Sequence, residues 1–340
     1  MTAPVERPVR WWKRPIVRIA GSLVLLAMLF TILPFHEIRS AISSVAWWVW
    51  PVALVTYMTL HMIGVMKWRL LTNVAGAGLT IGGAARAYYW GLFGNTFLPS
   101  IVGGDAVRMA MALKSARSGH GLVLGSLVDR LLDIVGLLLV AGIGAWLSPL
   151  ALTADSRRIF LLAIGVLTAG GLAGVLALVL FPVRRLRFRH RRKLVPIRRA
   201  FRATAVRPGA LGVALVLGAI LQSLLVVLNW QLGRAIGIEI PLYVWLFVWP
   251  LAKISGLLPL TQGGIGVREA AQAALFAPFG VSAAKAVATG LVFEVVILAG
   301  GLVGGALAFL AGARREPTTG ARSGGGAGAH HRPVLTQAGA

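Results

Sequence analysis

Six apolar stretches, residues 16–34, 45–66, 121–147, 159–181, 209–231 and 286–311, dominate the 340-residue chain. Each is long enough to cross a bilayer as a helix, which takes about 20 residues. Composition agrees: hydrophobic residues make up 57% and charged ones 13%, against roughly 25% charged in soluble domains. A mean hydropathy of +0.81 leaves too little polar surface to cover a soluble body. A soluble enzyme and a disordered basic protein are excluded, and the absence of cysteine excludes a secreted disulfide scaffold. Basic residues precede the first stretch, as in a signal peptide. However, Leu33-Pro34-Phe35-His36 follows it instead of a small-residue cleavage site, so it reads as a retained span.

The formal charge is +24, with 34 Lys+Arg against 10 Asp+Glu. In a soluble chain that excess would point to nucleic acid; in a membrane chain it sets topology. Two further hydrophobic stretches, 87–98 and 242–260, are shorter or interrupted, and each ends in a Leu-Pro step followed by glycines. If each enters the membrane and returns to the same side, segments 1–18, 67–117, 184–207 and 311–340 share one face and hold 26 Lys+Arg. The opposite face holds 7, and Arg130 lies within a span. If each stretch crossed once instead, the basic cluster at 184–207 would fall on the wrong side. The expected fold is therefore an all-α integral membrane protein with about six full transmembrane helices and two re-entrant helical hairpins, both termini cytoplasmic. It divides into a basic N-terminus (1–15), a transmembrane domain (16–311) and a disordered cytoplasmic tail (312–340). The transmembrane halves, about 16–181 and 209–311, are joined by the basic loop 184–207.

The chain also repeats itself. Residues 97–110 read FLPSIVGGDAVRMA and residues 257–270 read LLPLTQGGIGVREA, an ungapped offset of 160. Seven of the 13 positions from Leu98 to Ala110 are identical, including Pro99/Pro259, Gly103/Gly263, Gly104/Gly264 and Arg108/Arg268. The sidedness argument brings the two hairpins in from opposite faces. The halves are then inverted repeats, an arrangement of many secondary transporters.

Each hairpin residue type has a physical reason to be there. Pro99 and Pro259 stop the incoming helix. Gly103, Gly104, Gly263, Gly264 and Gly266 permit a tight turn and close backbone approach. Asp105 is expected to cap the outgoing helix, with Arg108 in its first turn; Arg268 and Glu269 open the corresponding helix. A helix N-terminus bearing an arginine suits a phosphate or carboxylate, so Asn95, Asp105, Arg108, Arg130, Arg268 and Glu269 are the headgroup candidates. The alternative is internal neutralisation, with Arg108 on Asp105 and Arg268 on Glu269. Asn95 serves a headgroup or the backbone freed by the break, and Lys253 and Gln262 carry the same ambiguity. Asp129, Asp133 and Glu294 are intramembrane charges. The spacing of Asp129, Arg130 and Asp133 predicts an ion pair on one helix face, with proton coupling as the other reading. The loop at 184–207 is a topology anchor or a binder of acidic lipid. His330-His331 alone makes no metal site, and neither a cofactor nor nucleic acid is expected.

GNTFLPSIVGGDAVR, SLVDRLLD and PLTQGGIGVREA resemble the transmembrane domain of lysylphosphatidylglycerol synthases and their stand-alone, flippase-like relatives, over roughly residues 15–311. Motif positions that match are Asn95, Pro99, Gly104, Asp105, Arg108, Arg130, Asp133, Pro259, Gly263, Gly264, Gly266, Arg268 and Glu269. The resemblance implies a bacterial plasma-membrane protein related to domains that move aminoacylated phospholipid between leaflets. The soluble domain that transfers lysine in full synthases has no counterpart after Ala313, so aminoacyl transfer is not expected. Membrane lipids with anionic headgroups are the expected partners, with a separately encoded lipid-modifying enzyme as a further one. The competing readings are a non-transporting partner of a lipid or envelope enzyme, and an intramembrane transferase.

Overall fold

The computed structural model describes residues 35–97, 103–147, 206–256 and 266–313, with residues 158, 162, 165 and 169 singly. Spans 16–34 and 159–181, the basic loop up to residue 205, the tail beyond Ala313, and Pro99, Pro259, Gln262, Gly263 and Gly264 lie outside the described residues. The described chain is helical and contains no strand. In order the helices are α1 (Phe35–Ser43), α2 (Val49–Val74), α3 (Ile81–Phe97), α4 (Gly103–Leu113), α5 (Gly119–Leu147), α6 (Pro208–Ala235), α7 (Leu242–Ser255), α8 (Val267–Phe276) and α9 (Ala283–Ala313); a 3-10 turn, Ala277–Phe279, follows α8.

Three of these, α2, α6 and α9, are long and apolar enough to cross a membrane. α5 matches them in length at 29 residues but carries Asp129, Arg130 and Asp133 in its first half. By contrast α3 and α7 have 17 and 14 residues, and their partners α4 and α8 have 11 and 10. At 1.5 Å per residue none of these four matches the roughly 30 Å of a hydrocarbon core. The expected span 45–66 proves too short: its helix runs on to Val74. Lys67 therefore lies inside the helix, beyond the end of the expected span. The polar run KWRLLTN contains no Gly or Pro, so nothing in it stops the helix before Gly76, whose φ is +99°.

The short helices pack across the chain. α3 lies against α4 and also against α9; α7 lies against α8 and also against α5; α2 and α6 pack on each other. Large apolar side chains lie on the outside as well as in the core. Trp47 and Trp48 at the start of α2, and Leu302, Leu307 and Leu310 along α9, are exposed, as expected for a surface solvated by lipid tails. The main core gathers around α6, α7 and α9, where the Trp245 and Phe276 rings meet edge to face at 4.6 Å.

Glycine lets α5 and α7 approach closely. A Cβ built on Gly144 would lie 2.3 Å from the Phe247 nitrogen and 2.5 Å from the Leu246 carbonyl carbon, and backbone cannot yield as a side chain does. Gly144→Val is expected to destabilise the protein by about 1–3 kcal/mol through this overpacking. Gly209→Ala, with nothing within 4 Å, is the control. Thermal unfolding in detergent checks this, and equal midpoints for the two variants would contradict the helix contact.

Candidate functional site

The first hairpin is held by small residues. Cβ atoms on Gly91 and Gly94 would come within 2.9 Å of Arg108 and Val107 side chains, and one on Gly104 would overlap Asn95 and the Gly91 carbonyl. Asn95 uses its Oδ1 to accept the Gly104 N–H at 3.1 Å, so it satisfies hairpin backbone. Gly103 and Gly104 are the opening residues of α4 and do not form a turn before it. Asp105 consequently stands in the first helical turn and does not cap the helix. Its carboxylate is taken up by two arginines, Arg108 at 3.1 Å and Arg130 at 2.5 Å.

These pairs belong to a network that spans three helices. Arg108 Nη2 also donates to Asp129 Oδ2 at 3.2 Å. Lys67 Nζ lies 2.8 Å from Asp129 and 2.6 Å from Asp133. Lys67 and Asp129 are each 2% exposed and Arg108 is 5% exposed. Three cations (Lys67, Arg108, Arg130) thus face three carboxylates (Asp105, Asp129, Asp133), which is how a buried cluster stays neutral. The expected Arg130–Asp133 pair within α5 is not formed. Asp129 and Asp133, one turn apart, both turn to Lys67 on α2, while Arg130 reaches α4 instead. Gly218 on α6 lies beside the lysine stem, where a Cβ would make an ordinary van der Waals contact at 3.5 Å from Lys67 Cδ.

The second hairpin makes a smaller network. Gly266 has φ +87°, a conformation suited to glycine, and opens α8. The fully buried Glu269 reaches back to accept the Gly266 N–H at 2.6 Å, the side-chain half of a capping box. Its other oxygen accepts from Arg268, whose Nη2 also donates to Glu294 on α9 at 2.6 Å. Lys253 near the end of α7 behaves differently. Its Nζ donates to the neutral Gln222 Oε1 at 2.9 Å and lies 4.7 Å from the centre of the Trp249 ring. Among the described residues it has no carboxylate within ion-pair distance.

An aromatic chain leads from the first network to Lys253. Arg108 stands over the rings of Trp68 and Tyr88, at 4.7 and 5.3 Å. From there contacts run Tyr88 to His61 to Tyr57 to Phe293 to Trp249, and so to Lys253. His61 Nδ1 lies 3.3 Å from the Tyr88 hydroxyl. Two buried nitrogens along this wall, Arg108 Nε and His61 Nε2, have no hydrogen-bond partner among the described residues. Buried polar atoms without partners are uncommon and call for a water or a ligand.

The structure therefore gathers Asp105, Arg108, Arg130, Asp129 and Asp133 into one cluster and Arg268, Glu269 and Glu294 into another. Asn95 stays at the hairpin seam. Sequence reasoning missed Lys67, Tyr88 and His61. The signal for Lys67 was the unbroken helix after Met66; the two aromatic positions gave none. No group of three metal-ligating side chains occurs among the described residues.

Long apolar helices with paired charge buried between them define a multi-pass, all-helical membrane protein. The family model described as Lysylphosphatidylglycerol synthase TM region matches residues 16–305, and the chain belongs to that family. No curated protein matches the chain.

Proposed function

We propose that this protein is a lipid translocase of the bacterial plasma membrane, with both termini cytoplasmic. Its cargo on this reading is an anionic or aminoacylated phospholipid, or a lipid-linked intermediate, moved between leaflets without covalent change. The pairs α3–α4 and α7–α8 serve as re-entrant hairpins entering from opposite faces. The packing pattern supports the inverted repeat. Exchanging α2 with α6, α3 with α7, α4 with α8 and α5 with α9 converts α3–α9 into α7–α5, α3–α4 into α7–α8 and α2–α6 into itself.

One observation carries the functional reading: the repeated arginines Arg108 and Arg268 each anchor a charge network, and an aromatic wall runs from Arg108 to Lys253, a cation without a carboxylate partner among the described residues. A phosphate headgroup offers the missing charge. The full neutralisation of Arg108 and Arg268 favours a second reading, a non-transporting membrane partner of a lipid or envelope biosynthesis enzyme.

Reconstitution separates the two. Proteoliposomes holding the purified chain are expected to move labelled phosphatidylglycerol or its aminoacylated form between leaflets faster than protein-free vesicles. Transfer of every tested lipid at the protein-free rate would overturn the translocase reading.

A further inference from the structure

A cavity of about 350 Å³ opens where α3 begins and α4 ends, lined by Thr80, Gly83, Arg86, Met111, Lys114 and Ser115 among others. We propose that it is a binding site for a phosphate-bearing anion, on the membrane face richest in Lys and Arg. This assignment does not depend on lipid translocation.

The lining has two cations and two hydroxyls and no carboxylate. Neither Arg86 nor Lys114 has a carboxylate partner among the described residues, which sets them apart from the paired cations of the interior. Arg86 is held in place by donating its Nε to the Ala308 carbonyl of α9 at 3.2 Å. That single bond fixes the guanidinium while the other N–H groups remain for an anion.

The cavity depends on a missing side chain. A Cβ on Gly83 would sit 3.1 Å from Thr80 Oγ1 and 3.7 Å from Ser115 Oγ, between the two hydroxyls. The local backbone also suits an anion. Gly83 lies in the first turn of the 17-residue α3, an end that carries partial positive charge; its own N–H donates to Thr80 Oγ1 at 3.2 Å, which leaves the Thr80 O–H free to donate. At the other wall, the end of α4 presents carbonyls that would repel an anion, but Ser115 covers one of them. Its N–H and hydroxyl both donate to the Ala112 carbonyl, at 3.0 and 3.2 Å. Charge, the remaining hydroxyl donor of Thr80 and an open cradle therefore coincide at one place.

Two sources could supply the phosphate, the headgroup of a lipid in the adjacent leaflet or a soluble phosphate. The full chain in detergent is titrated calorimetrically with short-chain phosphatidylglycerol and, separately, with inorganic phosphate. Lys114→Glu and Gly83→Leu are each expected to weaken binding about tenfold, a loss of one good charge-assisted contact. Lys285→Glu makes the same charge change at an exposed position beside Gly237 and is expected to leave binding unaltered. Phosphatidylglycerol binding that inorganic phosphate cannot displace assigns the site to a headgroup; displacement assigns it to the free anion. Unaltered affinity for both ligands in Lys114→Glu and Gly83→Leu would overturn the proposal, as would an equal loss in Lys285→Glu.

Discussion

Lys67→Met is expected to destabilise the protein by about 3–5 kcal/mol, the usual cost of removing one member of a buried ion cluster. Lys67 is the sole cation within ion-pair distance of Asp133 among the described residues, and it shares Asp129 with Arg108. Without it, two carboxylates one turn apart on α5 face each other inside a bundle with a single arginine on one of them. The penalty comes from the stranded charges and not from the lost lysine itself. Lys67→Met combined with Asp129→Asn and Asp133→Asn is therefore expected to recover part of the loss, held back by Arg108, which then lacks Asp129. The two variants are compared by thermal unfolding in the same detergent. A Lys67→Met midpoint equal to the wild type would show that the cluster contributes nothing to stability, and no recovery in the triple variant would refute stranded charge as the cause.

Lys67 also shows how far the sequence could be read. A scan for apolar runs ends at Met66 because a lysine is the wrong residue to continue a span, yet helix formation depends on backbone and propensity, not polarity. What makes the lysine tolerable lies 62 and 66 residues further along the chain, at Asp129 and Asp133, and no local pattern records that pairing. The same limit applies to Arg130. Spacing along α5 favoured Asp133, but Asp105 on α4 approached it instead. Features governed by local chemistry were more legible. The helices over 121–147, 209–231 and 286–311 appear with extensions of at most four residues at either end. The ungapped repeat singled out Arg108 and Arg268, but only Arg268 stands in the opening turn of its helix; because α4 already begins at Gly103, Arg108 falls in its second turn. Asn95 was legible only as a choice between two roles, and the Gly104 N–H at 3.1 Å shows the backbone one in use. The aromatic wall was invisible, because Tyr57, His61, Tyr88 and Phe293 come together only when α2, α3 and α9 pack.

Lys253→Met is expected to have the opposite profile, a fold as stable as the wild type with lipid transfer reduced about 10- to 100-fold. Among the described residues, removing this cation strands no carboxylate, since its hydrogen-bond partner is Gln222 and its other close neighbour is the Trp249 ring. Methionine fills similar volume, and no longer burying a charge offsets the cost of leaving the buried Gln222 Oε1 without its donor, about 1–3 kcal/mol. Transfer should fall because a charge-assisted hydrogen bond is worth about 1.5–3 kcal/mol, which corresponds to that range in an equilibrium or rate constant. Lys253→Arg keeps the charge and is expected to retain most of the activity. Leaflet-resolved transfer in proteoliposomes and thermal unfolding are measured on the same preparations. A methionine variant that transfers lipid at the wild-type rate would remove Lys253 from the headgroup site even if the protein proves to be a translocase. A variant that unfolds as readily as Lys67→Met would show that the lysine is a structural counter-charge like the others. Only the combination of an intact fold and lost transfer separates a cation that meets cargo from the cations that hold the bundle together.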